Sequence, residues 1–249
     1  MAYYILFDTE TTGSAQEDRI VQIGAIIMDQ KGSVEFFNEF VKAPLPIKIE
    51  AMEVHNITPD LIEFAPVFNQ TRFAVRLQEL NCEDNFLIAH NLPFDFAMLE
   101  KEGFVSKMKQ IDTLRCARHL FENLPFHRLQ YLRYALDLYK SEQEEAAKLG
   151  IEIKAHDALS DVLVMKLFIS KLVALAKQKF ADQNPMSILQ ALTKKPILIK
   201  EFKFGKHKGK QIGEVVFKDK AYIEWMMSNM ELDDDMKYSL NYFLDGGKC

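Results

Sequence analysis

Cysteine is scarce in this chain. Cys82, Cys116 and Cys249 are the only three, widely spaced and without a CxxC pair. An odd number of scattered thiols builds neither a disulfide framework nor a zinc site, and it points to a reducing compartment. No apolar run approaches the roughly 20 residues needed to span a bilayer. The first apolar run opens at Tyr3 and leaves no room for a secretory signal. The expectation is a soluble, cytoplasmic protein without a membrane partner. Positive charge is not in excess either: 31 Lys and Arg face 36 Asp and Glu, a net charge of −5. A polyanion such as nucleic acid must therefore be met by a local patch, not by the field of the whole molecule. Internal repeats and low-complexity tracts are absent. What remains is a chain with 48% hydrophobic and 27% charged residues, enough for a sizeable core in a soluble protein.

The densest apolar run is Tyr3-Tyr4-Ile5-Leu6-Phe7, which leads into Asp8-Thr9-Glu10-Thr11-Thr12-Gly13. A run of this kind belongs in the middle of a sheet, buried on both faces. Side chains alternate along a strand, so Asp8 and Glu10 project from one face. Two carboxylates at the edge of a core repel each other and lose solvation, and a bound cation is the usual remedy. A polar strand end entering a Thr-Gly turn is the alternative, and this stretch alone leaves both open.

Residues 20–28 read as a second strand, joined through Asp29-Gln30-Lys31-Gly32 to a third at 34–41, so that the first three strands form an antiparallel meander. Pro44 and Pro46 break regularity, and Thr58-Pro59 reads as an N-cap with Pro at the first helical position. A helix is expected over 66–80, a strand at Phe86-Leu87-Ile88-Ala89, a helix over 94–102 and a strand near 110–113. Further helices are expected at 114–121, 129–138 and 142–149, then a long amphipathic one over about 158–177. Antiparallel strands followed by strand–helix units predict an α/β fold: a mixed sheet with helices on both faces. A polar stretch at 179–185 marks a domain edge. The expected division is a domain over 1–180, a linker with a short helix over 181–196, and a small basic module over 197–249. Between Lys194 and Lys210, seven lysines face a single acid, Glu201.

Two further aspartates stand where a site can form. Asp95 follows the strand at 86–89 and the turn His90-Asn91-Leu92-Pro93, in the first turn of the next helix, where it either ligates or simply complements the helix dipole. Asp161 opens the long helix in His156-Asp157-Ala158-Leu159-Ser160-Asp161; Asp157 can cap that helix, and Asp161 can be a solvated charge. His156 alone reads as a loop or packing histidine.

Taken together, Asp-x-Glu on the first strand, Asn-x-x-x-Asp after a strand, and His-x-Ala-x-x-Asp opening a helix resemble the DEDD superfamily of 3′→5′ exonucleases, in the subclass whose fifth residue is a histidine. The resemblance covers about the first 180 residues, and Val54-His55-Asn56-Ile57-Thr58 also looks like the family's link between third strand and following helix. It implies a ribonuclease H-like sheet of five strands. It also implies hydrolysis of phosphodiester bonds at a free 3′ end with release of 5′-mononucleotides. Asp8, Glu10, Asp95 and Asp161 are hard oxygen ligands suited to two Mg²⁺ or Mn²⁺ ions. In this scheme Asp8 bridges both ions, and His156 is the general base at near-neutral pKa. Thr11, Thr12 and Gly13 match the turn that meets the terminal nucleotide, and Asn91 joins them as a substrate contact. Ser14 departs from the family, whose members commonly carry an apolar residue there to pack on the terminal base. His55 and His90 are expected to be turn and packing residues.

The module's Phe202-Lys203-Phe204-Gly205-Lys206-His207-Lys208-Gly209-Lys210 reads as a short strand with a basic glycine turn. With Gly213-Glu214-Val215 and Tyr222-Ile223-Glu224-Trp225-Met226 it resembles the C-terminal extension of the bacterial exodeoxyribonuclease X family. Lys203, Lys206, Lys208 and Lys210 suit phosphate contacts; a solvated basic hairpin over a core of Phe202, Phe204 and Trp225 is the alternative. The expected activity is a metal-dependent 3′→5′ exodeoxyribonuclease acting on DNA, with a role in DNA repair. A polymerase proofreading subunit, an exoribonuclease and a non-catalytic nucleic-acid-binding module are the rivals. Oligomeric state is left open by the sequence.

Overall fold

The computed structural model describes residues 2–153 and 157–247. The chain divides into two compact units, Met1–Thr193 and Lys194–Cys249.

The first unit is built on strands β1 (Tyr3–Thr11), β2 (Ile20–Asp29), β3 (Val34–Phe40), β4 (Phe86–Ala89) and β5 (Lys109–Asp112), in the order β3-β2-β1-β4-β5. β1–β2–β3 run antiparallel, whereas β1, β4 and β5 run parallel. This is the mixed, ribonuclease H-like sheet that the resemblance implies. β1 lies at its centre because Ile5, Leu6 and Phe7 are fully buried and need cover on both faces. Leu6, Ile26, Ile88 and Ile111 face one layer of helices, α5 (Thr113–Leu120), α6 (Leu129–Ala135), α7 (Tyr139–Leu149), α8 (Ala158–Lys179) and α9 (Pro185–Lys194). Ile5, Phe7, Ile23 and Leu87 face the other, formed by α3 (Arg72–Glu79) and α4 (Leu92–Lys101). A smaller cluster of Val21, Ile47, Ile57 and Ile62 sits under α1 (Ile49–His55) and α2 (Pro59–Ile62).

Three differences from the sequence expectation have physical causes. The helix expected over 66–80 begins as a 3₁₀ turn, Phe68–Gln70, and restarts at Arg72 because the Thr71 hydroxyl accepts from the Ala74 N–H at 3.1 Å and caps a new helix. Helix α1 was not foreseen beyond the two prolines; it ends where Asn56 takes a left-handed conformation, φ 60°. The segment expected as a linker is not one. Ile188, Leu189 and Leu192 of α9 are buried in the first unit's core, and Thr193 Oγ1 accepts from the Asp112 N–H at 2.9 Å.

The second unit holds α10 (Ile212–Lys218), α11 (Lys220–Asn229) and α12 (Asp234–Leu244). Among the described residues it has no strand beyond an isolated bridge, Glu201–Gln211. The expected hairpin is instead a compact turn, closed by Gly209 N–H to Phe202 O (2.8 Å) and Phe202 N–H to Lys210 O (3.0 Å). Its core comprises Phe202, Ile212, Val215, Ile223, Met226, Leu240 and Phe243. Phe204 and Trp225, which the alternative reading put in that core, are 40% and 52% exposed. No helix among the described residues is long and apolar enough to cross a membrane.

Candidate active site

Parallel pairing of β1, β4 and β5 brings their C-terminal ends to one edge of the sheet, where open α/β sheets place ligands. Asp8 and Glu10 stand at that edge on the same face as Tyr4 and Leu6, toward α8. Thr9 points to the opposite face and secures Asp95. Its N–H donates to Asp95 Oδ1 at 3.0 Å and its hydroxyl at 2.6 Å, so the middle residue of Asp-Thr-Glu orients the buried carboxylate of α4. Asn91 takes φ 75° at the start of α4 and is exposed, its N–H held by Asp112 Oδ1 at 3.0 Å.

Helix α8 is pinned over this edge by a network that sequence reasoning missed. The Asp157 carboxylate caps the helix through the Ser160 N–H, and its Oδ1 accepts from Gln22 Nε2 at 2.7 Å and Asn38 Nδ2 at 3.0 Å. Gln22 lies opposite Glu10 in the β1–β2 register, and Gly24 lies opposite Asp8. A Cβ on Gly24 would sit 2.3 Å from the Ala158 carbonyl carbon and 2.3 Å from the Leu159 nitrogen, so only glycine lets the first turn of α8 close on the strand. That turn carries Asp161, whose Oδ1 accepts from Gln130 Nε2 of α6 at 2.6 Å. A glycine within a strand was the one signal that could have disclosed this approach. His156, the expected general base, lies outside the described residues.

The electrostatics couple these groups. Burial holds the Asp8 carboxyl well above the usual carboxylate range, and the charges of Asp95, Asp161, Glu10 and Asp157 raise it further. Burial and the charges of Asp161, Asp95 and Asp157 push Glu10 up to about 8. Asp95 is raised to about 7 by burial, against the opposing effect of the Thr9 hydrogen bonds. Among the described residues no three His, Cys, Asp or Glu side chains stand ready to grip an ion, and Asp95 is bonded to Thr9 and Asp161 to Gln130. The donor set nevertheless fits divalent cations. It consists of hard oxygens whose mutual repulsion and lost hydration a divalent charge relieves, and hydrogen-bonded side chains can turn to meet it.

The turn after β1 is built from within. Thr12 is fully buried, and its hydroxyl donates to Asp18 Oδ1 at 2.7 Å. The Thr12 side chain, expected to touch substrate, is thus engaged in holding the turn. Asp18 also accepts from the Ala15 N–H and from Lys48 Nζ, each at 2.7 Å. A Cβ on Gly13 would meet Asp18 Oδ2 at 2.6 Å and Lys48 Cδ at 2.7 Å, so the ion pair lies directly on the glycine. The Thr11 hydroxyl donates to Gly13 O at 2.7 Å.

Both expected packing histidines are engaged. His55 Nδ1 accepts from the Ile57 N–H, leaving Nε2 to donate to Thr11 O at 3.1 Å, and burial lowers its pKa. His90 is bonded to Thr113 Oγ1 and His127 O, and burial takes it down to about 4. In the second unit, Lys203 pairs with Glu201 (3.0 Å), and Lys206 with Asp219 (2.8 Å).

Both parts of the chain resemble known proteins. The exonuclease family (RNase_T) matches residues 5–167, and the exodeoxyribonuclease X-like C-terminal family matches residues 202–231. DNA polymerase III subunit epsilon of Treponema pallidum (strain Nichols) is 31% identical over 185 residues, covering 70% of this chain and 79% of that protein. Exodeoxyribonuclease 10 of Escherichia coli (strain K12) is 24% identical over 249 residues, covering 96% of this chain and 98% of that one. Of a much longer relative, the PolC-type DNA polymerase III of Clostridium perfringens, the match spans only 14%. Exonuclease X in complex with 5′-overhanging duplex DNA shares the fold, with a TM-score of 0.55 at 19% identity, covering 76% of this chain and 99% of that one. With the exonuclease match taking in Asp8, Glu10, Asp95 and Asp161, this chain belongs to the exonuclease family and is an enzyme of the 3′→5′ class.

Proposed function

We propose that the chain is a 3′→5′ exodeoxyribonuclease that releases 5′-mononucleotides from DNA, with Asp8, Glu10, Asp95 and Asp161 holding two Mg²⁺ or Mn²⁺ ions. The observation that carries this reading is the crowding of carboxylate charge on the end of β1. Asp8 and Glu10 are both raised by burial and by Asp95 and Asp161, a costly arrangement that a divalent cation turns into a binding site. Bound there, the ions supply electrophilic stabilisation of the attacking and leaving oxygens of phosphoryl transfer.

The chain's own residues do the rest. Asp8, whose carboxyl is raised by Asp95, Asp161, Glu10 and Asp157 together, would help to hold both ions. Thr9 keeps Asp95 oriented, and Gln130 steadies Asp161 until metal enters. His156, in the segment leading into α8, is the general base that takes the proton of the attacking water. Thr11, Thr12 and Gly13, on a turn made rigid by Asp18 and Lys48, and the exposed Asn91 at the start of α4 are the terminal nucleotide's contacts. Lys208 and Lys210 bind backbone phosphates; Lys203 and Lys206, drawn to Glu201 and Asp219, contribute less.

The test is release of label from 3′-labelled single- and double-stranded DNA and RNA, with Mg²⁺ or EDTA. Mononucleotide released from DNA, lost in EDTA and in Asp8→Ala, is expected. Release from RNA alone would make the chain an exoribonuclease, and no release from any substrate would end the proposal.

A further inference from the structure

The second unit carries an exposed aromatic stack fastened to its lysine turn. Trp225, the sole tryptophan, stacks on Tyr222 one turn earlier on α11, with ring centroids 5.9 Å apart and planes at 26°. Tyr222 is fixed from behind. The His207 ring meets it edge-on at 4.9 Å, Lys206 Nζ lies 5.7 Å from its centroid, and a Cβ on Gly205 would fall 2.6 Å from its hydroxyl oxygen. His207 Nε2 in turn donates to Asp219 Oδ2 at 2.9 Å, and Asp219 caps α11. The tyrosine is thus a rigid backing, and Trp225, half exposed, offers an aromatic face to solvent.

The same turn supplies charge of one sign. Nine lysines lie between Lys194 and Lys220, against Glu201, Glu214 and Asp219. Lys203 and Lys206 hold acidic partners, whereas Lys208 and Lys210 are exposed and make no ion pair among the described residues. An exposed aromatic ring stacked on a tyrosine that the lysine turn itself holds is the chemistry that grips unpaired nucleotides, with bases stacking on the ring and phosphates meeting the turn's unpaired lysines. A duplex hides its base faces and offers only its terminal pair.

From this we infer that the second unit binds single-stranded nucleic acid, stacking a base on Trp225 and seating phosphates at Lys208 and Lys210. The inference deepens the proposed nuclease function by giving its polymer a strandedness, and rests on that reading for the source of the strand.

Trp225 reports on its own site. In EDTA, so that nothing is cleaved, the full chain is titrated with an oligothymidylate of about 12 nucleotides, within the usual site size. Oligouridylate and a blunt DNA duplex of equal length are the comparison arms. Saturable quenching of tryptophan emission by the single strands, and little by the duplex, is expected; the oligouridylate arm tells whether the sugar matters. By fluorescence anisotropy of labelled oligothymidylate, Trp225→Ala weakens binding about 5- to 150-fold. The circular dichroism melt of this variant stays close to that of the parent, because the ring is half exposed. Lys208→Ala with Lys210→Ala lowers the slope of log Kd against log salt by about 1.4, at about 0.7 per phosphate on a single strand.

No quenching, equal quenching by the blunt duplex, or undiminished binding by Trp225→Ala overturns the inference. So does emission that changes with protein concentration alone alongside a dimer in sedimentation, which would assign the ring to a second copy of the chain. Mononucleotide release with Mg²⁺ is measured separately. Quenching without release would leave the stacking site standing and remove the nuclease reading; release without quenching would do the reverse.

Discussion

The closest backbone approach at the candidate site gives the sharpest test of the proposed chemistry. Gly24→Ala places a methyl carbon 2.3 Å from backbone atoms of Ala158 and Leu159, and 2.6 Å from the Ala158 carbonyl oxygen. Carbon atoms settle at about 3.5–4.0 Å, so α8 must retreat from β2 by about 1 Å or more. The obstacle is backbone, which no rotamer change relieves. Overpacking of this kind costs about 1–3 kcal/mol, or a melting temperature lowered by roughly 5 °C in a chain of this size. The catalytic consequence is larger. The retreating turn carries Asp161 and follows directly on His156, and a misplacement of about 1 Å costs on the order of 100-fold in rate. Gly32→Ala is the control: it forces a β-carbon onto φ +91° in the β2–β3 turn, but nothing lies within 4 Å of that position. It should lose comparable stability, on the order of 1 kcal/mol, and keep its rate. Both variants are assayed by mononucleotide release under single-turnover conditions and by thermal melting. A Gly24→Ala enzyme within roughly threefold of the parent rate would refute the claim that α8 must touch β2 for catalysis. So would an equal loss of rate in Gly32→Ala.

Other predictions follow from the same edge of the sheet. Asp8→Asn should lower mononucleotide release by at least about 100-fold, since several kcal/mol of charge stabilisation depend on the ions it holds. In metal-free buffer near pH 8 it should melt higher than the parent, because asparagine escapes the penalty that burial and neighbouring charges put on an ionised Asp8, and a lower melting point would count against the electrostatic reading. In the parent, Asp95 at about 7 and Glu10 at about 8 bind protons in the folded state that the unfolded chain has released above pH 4 to 5. Metal-free stability should therefore be greatest below that range and fall as pH rises through 8, as read by melting temperature in EDTA. Divalent metal at 100 times its Kd should restore about 2.7 kcal/mol, roughly 5–10 °C, with the largest gain at high pH. Gln22→Ala removes donors to Asp157 and Asn38 and should cost about 1–3 kcal/mol by thermal melting, because a buried carboxylate loses a partner.

The strand that carries Asp8 was legible because an unbroken apolar run needs burial on both faces, and a central position follows from that. Asp157 was legible as a cap, since an Asp three residues before a backbone N–H at a helix start has a local role whatever surrounds it. Gln22 and Asn38 were not. On the sequence they are polar residues in strands, indistinguishable from a solvent-facing set, and their partner on α8 is more than a hundred residues away. The second unit misled for a related reason. Phe202, Phe204 and Trp225 are equally apolar, but the helices α10 to α12 supply enough Ile, Val, Met and Leu to close the core around Phe202 alone. Two of the three aromatics are thereby left at the surface.

Similarity of the first unit alone does not separate a polymerase-bound proofreader from a free-standing exodeoxyribonuclease. Both need carboxylates on the central strand and at the starts of two helices, so identity there tracks shared chemistry and not assembly; this is why an epsilon subunit can be 31% identical over 185 residues. The discriminating residues lie beyond Thr193. A proofreading subunit needs a surface made for its polymerase, whereas here Lys206 and His207 tie the lysine turn to Asp219, and Trp225, stacked on Tyr222, is half exposed. Such a surface suits a nucleic-acid strand better than a protein partner. Ser14 points the same way. The turn after β1 is stiffened from inside by Asp18 and Lys48, so it is a fixed ledge, but it carries a small hydroxyl where an apolar wedge would pry at a paired end. Without that wedge the enzyme proposed above would work best on ends that are already unpaired, and a second unit that collects single strands, as inferred, would supply them.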